Sequence, residues 1–151
     1  MSRLTDNVTG RTPFVRMDIN NRGWIRAIAT TGATVNVPMR LIFDDNGWRS
    51  VPLAASTSVK QFMVGVWPKT VTTGDVGDVQ IIGPISGIIS TALGTTGYCL
   101  AAKYNSTVIS STGTYSGMHG EFAVCRNVCT LASTSLEAYM TGQCFGWLVT
   151  S

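Results

Sequence analysis

Charged residues and histidine are scarce in this chain, and their scarcity limits the chemistry that it can perform. Asp, Glu, Lys and Arg make up 13% of the 151 residues, and His119 is the only histidine. A catalytic base near neutral pH needs an orienting carboxylate and a nucleophile within reach. No reliable version of that arrangement surrounds His119, which we interpret as a loop residue in solvent. We therefore predict that the protein is not an enzyme.

The residue spacings typical of phosphate-binding loops and of zinc sites are also missing. The pairs Gly74/Gly77 and Gly94/Gly97 are not followed by Lys-Ser/Thr or by a helical pattern, so we interpret them as turns. The cysteines include one Cys-x3-Cys pair but lack the second pair of a zinc ribbon, which leaves a zinc site with His119 as the minor alternative. We expect no cofactor and no metal, and thiols that fill apolar space, at Cys99, Cys125, Cys129 and Cys144.

Long apolar runs are absent as well. No run is long enough to cross a bilayer, and the opening residues MSRLTDNVTG lack the apolar core of a signal peptide. We therefore expect no membrane contact. We also expect synthesis in a reducing cytoplasm, where the cysteines stay reduced.

Hydroxylated and small residues are abundant instead. Ser and Thr together number 33, Gly numbers 16, and 44% of the residues are hydrophobic. This composition is typical of a β-rich protein whose outer faces are hydroxylated rather than charged. A chain of this length suits one domain, which buries roughly two thirds of its unfolded surface.

Apolar runs between residues 41 and 84 predict a small antiparallel β module. The run Leu41–Phe43 stops at a turn that contains Asn46-Gly47 and resumes at Trp48, and Asn-Gly is a strong hairpin signal. Two further runs, Phe62–Trp67 and Val79–Ile82, are closed by Pro68 and by Gly83-Pro84.

The flanking segments extend this β prediction. Phe14–Ile19 alternates, which is typical of a half-buried strand, whereas Ser106–Gly120 has the composition of an exposed loop. Further strands are predicted at Trp24–Ala29, Tyr98–Ala102, Phe122–Cys125 and Cys144–Val149. We predict a mainly β fold: a single-domain antiparallel β sandwich or barrel-like module over residues 14–151, with little helix and an extended N-terminal arm over residues 1–13.

The order of several short motifs resembles a known family, the small proteins that decorate or cement the heads of tailed phages. The motifs are Asn46-Gly47-Trp48, Ala54-Ala55-Ser56-Thr57, Val64-Gly65-Val66, the series Gly74, Gly77, Val79, Gln80, Gly83 and Pro84, and the closing segments Leu136–Tyr139 and Gly146–Val149. The family often has a large aromatic residue just before Val-Gln, where this chain has Asp78.

This resemblance implies a function and a set of partners. The chain would bind the outside of an icosahedral head as a homotrimer at threefold and quasi-threefold positions, and would stabilise the lattice of the major capsid protein. It would be made in the cytoplasm of a bacterial host and would end in the virion, on the outer capsid surface. The resemblance gives Asn46, Gly47, Gly74, Gly77, Gln80, Gly83 and Pro84 a structural role in the shared module.

The N-terminal arginines are the docking candidates that the sequence offers. Five arginines but only two acidic residues lie within residues 1–26, and a basic arm suits an acidic protein surface. We select Arg3, Arg11 and Arg16. A solvated arm is an equally good interpretation, and nucleic acid is disfavoured because the arginines are spread out and no nucleic-acid-binding motif is present.

Two alternative functions stay open. One is another virion role, such as a head fibre base or a tail component, although the chain shows neither repeats nor a coiled-coil stalk. The other is a carbohydrate-binding β module that contacts glycans through exposed aromatic residues. Core packing is the simpler interpretation of the four tryptophans, Trp24, Trp48, Trp67 and Trp147.

Overall fold

The computed structural model describes residues 15–53, 61–89, 96–102, 109–112, 121–128, 135–142 and 144–146. These residues form eleven β-strands, and no helix occurs among them. The mainly β fold class predicted from the sequence is therefore confirmed. The predicted arm, residues 1–13, lies outside the described residues, as do Arg3, Arg11, His119, Cys129 and Trp147.

Five strands close into a barrel. The ring runs β2–β4–β3–β5–β6 and returns to β2, and the two-residue strand β1 joins the edge of β2. The β2–β4 pair is parallel, whereas the other described pairings are antiparallel. The bounds are β1 Arg16–Met17, β2 Gly23–Ala29, β3 Pro38–Asp44, β4 Gly47–Pro52, β5 Gln61–Val66 and β6 Val76–Ile89.

A second sheet packs against the outside of the barrel. The C-terminal half of β6 leaves the barrel and pairs with β10, and the order continues through β9, β7 and β8, while β11 pairs with β5. The bounds are β7 Cys99–Ala102, β8 Ile109–Thr112, β9 Glu121–Cys125, β10 Ser135–Thr141 and β11 Cys144–Gly146.

Two cores result from this arrangement. One fills the barrel and contains Leu41, Trp67 and Ile81. The other lies between the outer wall of β3, β4 and β5 and the second sheet, where Val64 packs in the same cluster as Phe122. Strand alternation explains the division, because successive residues of β3, β4 and β5 face opposite cores.

The hairpin predicted at Asn46-Gly47 is present. Asp44 pairs with Gly47 across the β3–β4 turn, and the Asn46 N–H donates to Asp44 Oδ1 at 2.9 Å. Gly47 has a φ of +93°, whereas the φ of Asn46 is not positive. The turn therefore needs glycine only at its last position.

The prediction that Gly83-Pro84 ends a strand is wrong. Strand β6 runs through both residues and includes the apolar segment that follows them. Gly83 has a φ of +96°, and the β2–β6 register shifts between Gly23 and Trp24. The shift lies between Gln80 and Ile82 of β6, which marks a bulge just before Gly83. The strand continues through Gly83 and Pro84 because β10 pairs with it without a break from Ile82 to Ile85.

Three other local predictions also fail. Gly77 lies within β6 rather than in a turn, whereas Gly74 does lie in a turn, with a φ of +92°. The predicted loop Ser106–Gly120 contains strand β8, since pairing with β7 outweighs its loop-like composition. The half-buried strand predicted at Phe14–Ile19 is not found in its described residues, 15–19. Of these, only Arg16–Met17 form a strand, and Ile19 is 98% exposed, because the segment pairs along two residues at the edge of β2.

Candidate functional site

The outer face of β2 and β6 carries several polar side chains that could meet a partner. Ile25, Ala27 and Ala29 point into the barrel and are buried, so the intervening residues of β2 face outward. The cross-strand pairs on this face are Trp24 with Gln80, Arg26 with Asp78, and Ile28 with Val76.

Arg16, one of the predicted docking residues, is already paired. Its guanidinium forms an ion pair with Asp78, which lies 62 residues further along the chain. Asp78 is also the residue that replaces the aromatic expected from the resemblance, and here it binds the edge strand to the barrel. On the same barrel, Arg49 pairs with Asp44 at 2.7 Å.

Arg22 and Arg26 differ from these two arginines because neither takes part in the two ion pairs found among the described residues. The Nε of each is buried without a hydrogen-bond partner in that part of the chain, as is the Nε of Arg49. Sequence reasoning missed both residues, although the alternation of Trp24, Arg26 and Ile28 along β2 was a usable signal.

A turn centred on Asp18 fixes the position of Trp24. Asp18 Oδ1 accepts the N–H groups of Asn20 at 2.8 Å and Arg22 at 3.0 Å, and Oδ2 accepts the Trp24 Nε1–H at 2.9 Å. The hydrogen bond from the Arg22 backbone and then that from the Trp24 indole hold the pKa of Asp18 below its usual value. The indole ring is therefore held with one edge against this turn.

A cleft of about 200 Å³ opens beside Trp24. Gln80 lies in its wall and is 5% exposed. Its Nε2 donates to Pro84 O at 2.9 Å and to Ile82 O at 3.2 Å, so both amide hydrogens are used within β6. The residues that line the cleft are Arg22, Trp24, Asn36, Val66, Trp67, Pro68, Gln80, Pro84, Ile85 and Ser86.

A close backbone approach at Gly83 links this cleft to the Asp18 turn. A Cβ atom at Gly83 would overlap the carbonyl oxygen of Asn21 and would lie 3.0 Å from the Cα of Arg22. The absence of a side chain thus lets β6 approach the backbone that carries Arg22. Of the predicted motif, Gln80 and Pro84 line the cleft, and Gly83 lies beside it in β6.

The remaining motif residues lie elsewhere. Asn46 and Gly47 form the β3–β4 hairpin, Gly74 lies in the turn before β6, and none of them lines the cleft. Gly77 faces the barrel interior, where an added Cβ would lie 3.0 Å from Trp67 Cζ3. These four residues shape the barrel.

The tryptophans divide into core and surface residues. Trp67 is 1% exposed, and its Nε1–H donates to the Ser50 hydroxyl at 3.0 Å inside the barrel. Trp48 is also buried. Trp24 is half-buried and lines the cleft, so it is the one tryptophan among the described residues with a face near solvent.

Two kinds of feature are absent from the described residues. No group of three or more His, Cys, Asp or Glu side chains in that part of the chain is placed to hold a metal ion. No helix there is long and apolar enough to cross a membrane.

Comparison with known proteins gives a likeness in fold. No protein-family model matches the chain, and no curated protein has a similar sequence. Among solved structures, the N base of the head fiber gp8.5 of bacteriophage phi29 is similar, with a TM-score of 0.51 and 12% sequence identity. The match covers 84% of this chain and 98% of that chain. Nearly the whole of the phage domain is therefore matched, and the likeness is one of fold.

Proposed function

We propose that this protein is a structural accessory protein of a tailed-phage head, which binds the outside of the icosahedral shell and does not act as an enzyme. The observation that carries the proposal is the fold shared with a phage head fiber base over nearly all of that domain. The order of motifs from Asn46 to Pro84 supports the same assignment independently, because it is a property of the sequence and does not depend on the fold.

The finer proposal is a cement role. A protein that binds only the assembled lattice of the major capsid protein stabilises that lattice by mass action. A homotrimer at a threefold or quasi-threefold position would join three modest contacts into one multivalent attachment. The barrel with its packed sheet suits this role, because two buried cores hold the outer face of β2 and β6 in a fixed shape.

The base of a head fibre is the second candidate, and the comparison favours it directly. Such a base would also bind the shell, but it would present a fibre to solvent instead of covering the lattice. The two roles differ in occupancy: a cement occupies every equivalent lattice position, whereas a fibre base occupies as many positions as there are fibres.

Reconstitution on capsids tests these proposals. Purified protein is mixed with shells that lack it, bound and unbound fractions are separated by sedimentation, and the decorated shells are imaged by electron cryomicroscopy. Light scattering on the free protein gives its oligomeric state. Density at all threefold positions supports a cement, sparse density supports a fibre base, and a stable monomer that leaves the shell bare contradicts both.

A further inference from the structure

The cleft beside Trp24 carries one formal charge, and its own lining does not neutralise it. Arg22 is the only charged residue among the lining residues. Its guanidinium takes part in neither of the two ion pairs found among the described residues, and its Nε is buried without a hydrogen-bond partner there, as is the Nε of Arg49. A guanidinium offers five donors in a planar fork, and carboxylates match that fork closely. The cleft therefore has an unused binding group for an anion.

The nearby carboxylate of Asp18 does not fill this role. Its two oxygens already accept three hydrogen bonds, from the backbone N–H groups of Asn20 and Arg22 and from the Trp24 indole. Asp18 thus binds the main chain of Arg22 and forms no salt bridge with its side chain, although the nearby Arg22 charge also contributes to lowering the pKa of Asp18. The same carboxylate orients the turn through these hydrogen bonds. This turn places the Trp24 indole and the Arg22 guanidinium at the same cleft.

The remaining walls of the cleft offer both apolar and polar surface. Trp24, Val66, Pro68 and Pro84 contribute apolar surface against which an aliphatic stem can lie, Asn36 and Ser86 contribute polar groups, and the amide hydrogens of Gln80 are used within its own strand. The volume of about 200 Å³ is below the roughly 300–1,000 Å³ of typical small-molecule sites. This size suits one side chain better than an oligosaccharide.

We propose that the cleft receives the carboxylate of an Asp or Glu side chain from an acidic segment of the phage shell. The guanidinium of Arg22 binds the carboxylate, and the aliphatic stem of that side chain lies against Trp24. The identity of the partner rests on the proposed function, whereas the carboxylate specificity rests on the cleft itself. Arg22, rather than the ion-paired Arg16, is then the docking arginine of the described residues.

Binding to capsids gives the first test. The variants are Arg22→Gln, which removes the charge, and Arg22→Lys, which keeps the charge but loses the fork. Arg49→Gln is the matched control, because it also removes one surface arginine but lies outside the cleft and is paired with Asp44. Equal melting temperatures of all four proteins establish that each variant is folded.

The expected result is a graded loss of affinity for capsids. Removing one partner of a desolvated charge pair weakens binding by about tenfold or more, so Arg22→Gln should bind capsids at least about tenfold more weakly. Arg22→Lys should be intermediate, and Arg49→Gln should match the wild type. Equal binding of the wild type and Arg22→Gln overturns the inference. Failure of the wild-type protein to bind any shell overturns the proposed function instead.

A peptide titration tests the cleft without capsids. The Trp24 indole N–H resonance is followed while acetyl-Leu-Glu-Leu-amide is added, with acetyl-Leu-Gln-Leu-amide as the uncharged match and N-acetylneuraminic acid as an acidic sugar. A saturable shift with the Glu peptide alone, lost in Arg22→Gln, supports a carboxylate side-chain site. A shift with the sugar but not with the Glu peptide, equal shifts with both peptides, or no shift at all overturns it.

Discussion

The side-chain amide of Gln80 donates a hydrogen bond to the main-chain oxygen of Pro84, at 2.9 Å, within the same strand. A second hydrogen bond from this amide reaches Ile82 O. The two bonds span Gly83, where β6 passes from the barrel into the second sheet. Gln80 therefore stabilises a stretch of β6 that both halves of the fold share.

Replacement of Gln80 tests this bridge. In Gln80→Glu the ionised side chain cannot donate, and it faces two carbonyl oxygens in a buried site, so we expect a loss of about 1–3 kcal/mol in unfolding free energy. Gln80→Met keeps the length without donors and should also destabilise the fold. Urea denaturation measures both variants. Wild-type stability in Gln80→Glu would contradict the assigned role.

The close backbone approach at Gly83 is tested by a pair of glycine substitutions. Gly83 and Gly74 have similar positive φ values, +96° and +92°, but only Gly83 is crowded, since nothing lies within 4 Å of an added Cβ at Gly74. Gly74→Ala should therefore cost about 1–2 kcal/mol from backbone strain, and Gly83→Ala about 2–5 kcal/mol from strain and overlap together. Equal losses in thermal unfolding would show that the close approach to Asn21 is unimportant.

A buried hydrogen bond inside the barrel gives a third prediction. Ser50→Ala removes the acceptor that the Trp67 indole N–H has among the described residues and leaves a buried donor unsatisfied. We expect a loss of about 1–3 kcal/mol in unfolding free energy. Ser86→Ala, at an exposed serine, is the control and should change stability by less than about 0.5 kcal/mol.

The Asp18 turn predicts a dependence of stability on pH. Because the folded pKa of Asp18 lies below its ordinary value of 3.8, its carboxylate stabilises the fold above that value, and the contribution is lost as the pH falls through the folded pKa. Asp18→Asn removes this titration. We expect its melting temperature to fall less than that of the wild type between about pH 5 and about pH 2.5.

Asp45→Asn is the control for this pH experiment. It also removes one surface carboxylate, but Asp45 accepts none of the hydrogen bonds found within the described part of the chain. Melting temperatures of the three proteins are measured across the same pH range. A curve for Asp18→Asn that runs parallel to the wild-type curve would contradict a stabilising role for this carboxylate.

The sequence by itself determined the features that depend on neighbouring residues. The β3–β4 hairpin follows from the turn at Asn46-Gly47, and the β character of the segments at Trp24, Phe62 and Phe122 follows from apolar and β-branched runs. Such signals are local, because a turn needs particular backbone angles and a strand needs alternating faces. The mainly β class with little helix could therefore be predicted without coordinates.

Only the tertiary structure decided which strands pair and which charges remain available. The parallel β2–β4 contact closes the barrel, and β6 continues past Gly83-Pro84 because β2 and β10 supply partners along its whole length. Arg16 is neutralised by Asp78 from a distant strand, whereas Arg22 is left with an unpaired Nε among the described residues. Arginines look alike in a sequence, and their roles differ here because pairing across the sheet brings a carboxylate to one and an open cleft to the other.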